Sequence, residues 1–145
     1  MAVITKKAVL WRKEVGNRPG ALADSLEPLA QAGADLKFVL GYQAPGGDAR
    51  GVVEVYPLAG KRAQAAAASA GFSASSDAAL LVEGDNKPGL GHAIARAIGD
   101  ANINMTFVMA QVVGRRYVAV FGFETDADSA RASSLIRKAA PAKKR

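Results

Sequence analysis

Two short stretches hold the residue types best suited to binding chemistry: Asn17-Arg18-Pro19-Gly20-Ala21-Leu22 and Asn86-Lys87-Pro88-Gly89-Leu90. In each, an amide side chain able to donate and accept precedes a cation and a Pro-Gly pair. Proline sets φ near −65° and glycine accepts positive φ at the next position, so both stretches predict turns. Where such a turn opens a helix, the first amides lack partners and carry partial positive charge, which suits a carboxylate. Glycine also lets a ligand approach the backbone closely. The same residues make an ordinary turn or helix cap, so the motif by itself leaves ligand binding and fold shaping equally open.

Other chemistry finds little support. His92 is the only histidine and the chain has no cysteine. That excludes a disulfide frame, thiolate zinc and a cysteine nucleophile. His92 stands two residues after Leu90, about 200° around a helix, which turns it away from the apolar stripe. Glu14, Glu83 and Asp85 lie near the turns, but the equivalence of the two stretches breaks at Gly16 against Asp85, so paired acid–base work is poorly supported. Gly84-Asp-Asn-Lys-Pro-Gly-Leu-Gly91 is neither a dinucleotide-binding nor a Walker loop. The expectation is a chain that is not an enzyme, with no metal and no cofactor.

The two stretches are 69 residues apart, and the offset extends beyond them. It aligns Glu14 with Glu83, Leu29 with Ile98, Ala32 with Ala101, and Phe38-Val39 with Phe107-Val108. A duplicated unit therefore sets the architecture. In the first copy the pattern predicts a strand over 8–15, a helix carrying Leu22, Leu26 and Leu29 that stops near Gly33, strands over 36–43 and 52–56, an alanine-rich helix over 61–70, and a short strand within 72–75. Pro28 removes a hydrogen bond inside the first helix, which predicts a kink or break. Trp11 and Phe38 are placed in core or interface positions.

In the second copy, a strand over 79–83 precedes a helix striped by Leu90, Ile94, Ala97, Ile98 and Ala101. Strands over 103–113 and 117–123 flank Gly114-Arg115, and a last helix is capped by Asp126, Asp128 or Ser129. The order is that of two ferredoxin-like βαββαβ repeats, an α+β fold with antiparallel sheets and helices on one face. The second repeat lacks its last strand, because Ala139-Ala-Pro-Ala-Lys-Lys-Arg145 is unsuited to a buried one. Residues 2–6, the other repeat, or nothing at all would fill that edge. The expected domains are 3–75 and 78–139, followed by a basic tail, 140–145.

The chain has 145 residues, 50% of them apolar and 22% charged, which excludes coiled-coil or collagen architecture and wholesale disorder. No run nears the roughly 20 apolar residues of a membrane span. The first residues show no leader pattern, and the expected location is cytoplasmic. Of the net charge of +6, five bases fall in the last nine residues, leaving 14 bases against 13 acids elsewhere. The near-neutral body argues against nucleic acid and membrane surfaces, and the tail reads as a solvated terminus.

Asn17-Arg-Pro-Gly-Ala-Leu22, Asn86-Lys-Pro-Gly-Leu90 and the segments Leu29-Ala-Gln-Ala-Gly-Ala-Asp-Leu36 and Ile98-Gly-Asp-Ala-Asn-Ile-Asn-Met105 resemble the ACT domain family over nearly the whole chain. Pro28, the absent last strand, and Gly91 in place of Leu22 depart from a regular pair. The resemblance implies a stand-alone tandem regulatory module that binds a small amino acid between paired domains and signals by changing their arrangement. By carry-over, Asn17, Arg18, Pro19, Gly20 and Ala21 form one site and Asn86, Lys87, Pro88, Gly89 and Leu90 the other. Leu22, Phe107, Val108 and Met109 would line the side-chain pocket. It further implies a homodimer that serves a metabolic enzyme or regulator. Two other readings stay open. One is a docking module without a small ligand. The other is an RNA-binding ferredoxin-like protein, for which Tyr117, Phe121 and Phe123 would alternate onto one face.

Overall fold

The computed structural model describes residues 3–46 and 49–140. The strands are β1 (Ile4–Ala8), β2 (Trp11–Gly16), β3 (Phe38–Gln43), β4 (Arg50–Tyr56), β5 (Ser73–Ala74), β6 (Ala78–Asp85), β7 (Met105–Val113) and β8 (Arg116–Phe123). The helices are α1 (Ala21–Gln31), α2 (Lys61–Ser69), α3 (Leu90–Asp100) and α4 (Asp126–Ala139). They form two compact units, each a four-stranded antiparallel sheet with two helices. One is 9–75, with strand order β3-β4-β2-β5. The other joins β1 to the described residues from 76 onward, in the order β1-β6-β8-β7. Both are ferredoxin-like repeats.

The edge that the second repeat leaves open is filled by the N-terminal residues. β1 runs antiparallel to β6, from Ile4 opposite Glu83 to Ala8 opposite Ala79. It occupies the place that β5 takes beside β2 in the first unit. The strand expected over 8–15 is therefore two strands in two sheets: Ala8 ends β1 and Trp11 begins β2. Residues 3–8 accordingly sit with the second unit, not with 9–75. Val3 makes the exchange tight. It is buried, and a Cβ at Gly84 would lie 2.8 Å from its Cγ1. The first repeat has Val15 at the equivalent position.

Each core lies between sheet and helices. Val53, Val55, Leu29, Ala63, Ala67 and Phe72 make the first, with Trp11 half-buried against it. Leu80, Val82, Ile94, Ile98, Phe121 and Phe123 are central to the second. Helix α1 keeps the 69-residue offset with α3 at both ends. It buries Ala21, Ser25 and Leu29, where α3 buries Leu90, Ile94 and Ile98. The expected stripe through Leu22 is rotated, and Leu22 is 47% exposed. Pro28 does not break the helix: α1 continues to Gln31, and the Pro28 carbonyl accepts from Ala32.

Both helices end in the same motif. Gly33 at φ 78° donates to the Ala30 carbonyl and Ala34 to that of Leu29. Asn102 at φ 60° repeats this, donating to Gly99, while Ile103 donates to Ile98. These are Schellman caps, which need a left-handed residue after the last turn. Helix α4 is capped by Thr125, whose hydroxyl accepts from the Asp128 amide at 3.0 Å, and not by the expected Asp126, Asp128 or Ser129. Ser129 is instead buried with no partner for its hydroxyl. Of the expected tail, residues 141–145 lie outside the described residues, as do 47 and 48 in the loop before β4.

Candidate functional site

The two Pro-Gly stretches are the β2–α1 and β6–α3 turns, and their backbones match bond for bond. Gly20 and Gly89 are the N-caps, at φ 86° and 85°. Ala21 donates to the Arg18 carbonyl and Leu90 to that of Lys87; Asp24 donates to Gly20 and Ala93 to Gly89. Each turn is fastened to the hairpin beside it: the Asn17 amide donates to the Ala49 carbonyl at 2.8 Å, and the Asn86 amide to that of Arg115 at 2.7 Å. Among the described residues, the amides of Leu22 and Ala23 in one turn, and of Gly91 and His92 in the other, donate to no backbone carbonyl. Two parallel N–H donors at the positive end of a helix are thus available in each turn.

The asparagines do not serve as caps. Neither helix has a side-chain cap bond, and the side chains of Asn17 and Asn86 are exposed. Pro19 and Pro88 are also exposed, whereas the side chains of Ala21 and Leu90 turn into their cores. His92 is exposed, as its position predicted.

The side chains around the turns differ. Arg18 lies back over its own turn, with Nη2 2.8 Å from the Asp24 carboxylate and Nη1 donating to the Pro19 carbonyl at 3.2 Å. A Cβ on Gly20 would meet Arg18 Nη1 at 3.6 Å. In the second turn Ala93 replaces Asp24, so Lys87 lacks that anchor, and nothing lies within 4 Å of the position a Cβ on Gly89 would take. Beneath the second turn stands Tyr117, paired across the strands with Gly84. Its counterpart is Gly51, paired with Val15. The Tyr117 ring is buried, and desolvation pushes the phenol pKa up from its ordinary value near 10, which keeps it a neutral donor.

The β7 residues separate. Strand alternation puts Phe107 and Met109, opposite Gly122 and Val120, on the face away from the helices. Val108, opposite Phe121, points to the other face and is largely exposed. These three therefore do not line one surface. Phe107 packs over Gly122, where any Cβ would collide with its ring. Among the described residues, no group of three or more His, Cys, Asp or Glu could hold a metal, and no helix is long and apolar enough to cross a membrane.

The RNA reading fails on burial. Tyr117, Phe121 and Phe123 do share a face, but it is the one under the helices, and all three belong to the second core. Stacking on bases requires exposed rings.

No family model and no curated protein matches the chain. Solved structures do. A protein of Bacteroides thetaiotaomicron superimposes with a TM-score of 0.74 at 12% identity, over 92% of this chain and 89% of that one. The ligand-free regulatory subunit of aspartate kinase from Thermus thermophilus gives 0.63 at 16% identity, over 96% and 97%. Aspartate kinase from Clostridium acetobutylicum gives 0.63 at 14% identity, over 96% of this chain and 34% of that one. What they share is the fold. The chain has the tandem ACT-like architecture, two ferredoxin-like repeats in succession, which regulatory subunits of aspartate kinase also adopt.

Proposed function

We propose that the chain is a non-catalytic, cytoplasmic regulatory module that binds a small amino acid at its strand-to-helix turns. The observation that carries this reading is the duplicated backbone of the turns. Both have a left-handed glycine cap and two helix amides that donate to no backbone carbonyl, preceded by an exposed asparagine that makes no cap bond. Paired N–H groups suit a carboxylate, and the asparagine carbonyl suits an ammonium group. The same fold in regulatory subunits of aspartate kinase supports a regulatory role. The working unit is a homodimer whose partner is a metabolic enzyme or regulator. The ligand acts by favouring one arrangement of the domains, and only to the extent that its affinity differs between arrangements.

A thermal-shift screen with the twenty amino acids tests this. One small amino acid should raise the melting temperature, equivalent to about 2.7 kcal/mol at a hundredfold excess over Kd. The shift should shrink in Asn17→Ala or Asn86→Ala. Indifference to all twenty would defeat the sensor and favour a docking module. For that second reading the edge strand β7 supplies the motive, with Val108, Val112 and Val113 largely exposed.

A further inference from the structure

The second sheet is completed by a strand that little apolar surface holds in place. β1 lies at the edge of that sheet and pairs with β6 alone. Of its own side chains only Ala8 is buried; Ile4 is 60% exposed, Lys6 and Lys7 are exposed and Thr5 is half-buried. Val3, just before it, adds one buried apolar group. The remaining attachment is polar and lies on α4. Thr5 Oγ1 and Ser133 Oγ are 2.7 Å apart, and Arg137 Nη1 donates to both, at 2.9 and 2.8 Å. Lys7 stands 3.5 Å from the Asp126 carboxylate, with both side chains largely in solvent, and such a pair adds little. An edge strand fastened in this way opens before the rest of its sheet.

What β1 covers is poorly suited to exposure. β6 carries no charge from Ala78 to Val82, and Leu80 and Val82 are buried. Without β1 it is an apolar edge of the kind that captures another strand. The strand that fits this edge is β1 itself. Its ladder runs from Ile4 opposite Glu83 to Ala8 opposite Ala79, and Val3 fills the space over Gly84 so closely that a Cβ there would meet it at 2.8 Å. The β1 of a second copy makes all of these contacts equally well. β1 is joined to β2 of the first unit by Val9 and Leu10 alone, so an exchange between copies alters that two-residue connection and little else.

We propose that β1 is an exchangeable strand and that the β6 edge is an interface between two copies of this chain. In the exchanged dimer each copy's β1 completes the second sheet of the other, in the register found within one chain. The contact is isologous. It goes beyond the regulatory reading because it needs no ligand, and it stands or falls apart from amino-acid binding at the turns. Arg137 and the two hydroxyls govern how readily β1 leaves. Val3 and Gly84 govern which strand the edge accepts.

The chain has no cysteine, so engineered thiols report without background. Ile4→Cys and Glu83→Cys, which place thiols on directly opposed residues, are made in separate chains, mixed, incubated below the melting temperature and treated with a short reagent that bridges two thiols. Exchange predicts linked dimers containing one chain of each kind, well above the like-with-like dimers that either chain forms alone. Arg137→Ala removes the clasp without touching the β6 ladder, and in both chains it should speed the appearance of mixed dimers about fivefold, as expected for lost hydrogen bonds. Mixed dimers no more abundant than like-with-like ones, while a single chain carrying both substitutions bridges internally, would overturn the exchange. Lys6→Cys with Leu81→Cys, the next opposed pair on the same face, decides the matter if the first pair does not fold.

Discussion

The β2–α1 and β6–α3 turns are one backbone with two sets of side chains, and their difference separates what shapes a fold from what equips a site. Cap glycines, turn hydrogen bonds and hairpin anchors recur with the 69-residue offset intact. The groups on that frame have diverged. The first turn is closed by an Arg18–Asp24 pair and floored by Gly51; the second is open above and floored by a phenol. Beneath the helices the divergence runs further, with Ala21, Ser25 and Leu29 set against Leu90, Ile94 and Ile98. The second unit has the larger helix-face side chains, and it also incorporates β1.

Exchanging residues between the copies sharpens this contrast. The largest effect should come from Leu90→Ala, which gives the second helix the residue of the first. Its core has no equivalent way to close, and about 3 kcal/mol of stability should be lost in denaturant titration. Next is Gly84→Val, which installs the counterpart of Val15. The new side chain would displace Val3 and loosen β1, at a cost of about 2 kcal/mol, with faster hydrogen exchange at 4–8. Gly20→Ala and Gly89→Ala probe what the copies share. Both glycines sit near φ 85°, so each variant should lose about 1 kcal/mol, and a clear inequality would break the claim of a common backbone.

The smallest effect concerns alkaline pH. Burial raises the Tyr117 pKa, so the folded state holds this proton more tightly than the unfolded chain does. The resulting stability is complete below about pH 10 and declines as pH rises toward the higher folded value. Tyr42 titrates in the same direction, chiefly through burial and secondly through Glu54, so Tyr117→Phe should flatten the alkaline decline without removing it.

Much of this was legible in the repeat. The composition of 139–145 signalled the missing last strand, and the offset located both turns and the helices that follow them, because backbone-determining residues (Pro, Gly, Asn) recur in register. It also aligned Leu22 with Gly91, a sign that this leucine was not a core residue; the local i, i+4, i+7 spacing concealed that, and Leu22 is exposed. The place of β1 was legible only as one option of three, since strand pairing across some 75 residues leaves no local mark. Thr125 was passed over as a cap because the acids after it have similar capping preference. The RNA-binding alternative requires Tyr117, Phe121 and Phe123 to form a surface array. Alternation gives the shared face but not which face the helices cover, and burial of all three reverses the inference. The position of Tyr117 beneath the turn follows from its pairing with Gly84, which only the sheet register reveals.

The most direct test is an amide-resolved NMR titration of the isotope-labelled chain with the amino acid that stabilises it. The paired amides of a binding turn, Gly91 with His92 or Leu22 with Ala23, should shift together and saturate with the ligand. If all four amides remain unmoved while the ligand binds, the assignment of the strand-to-helix turns as the binding sites is contradicted.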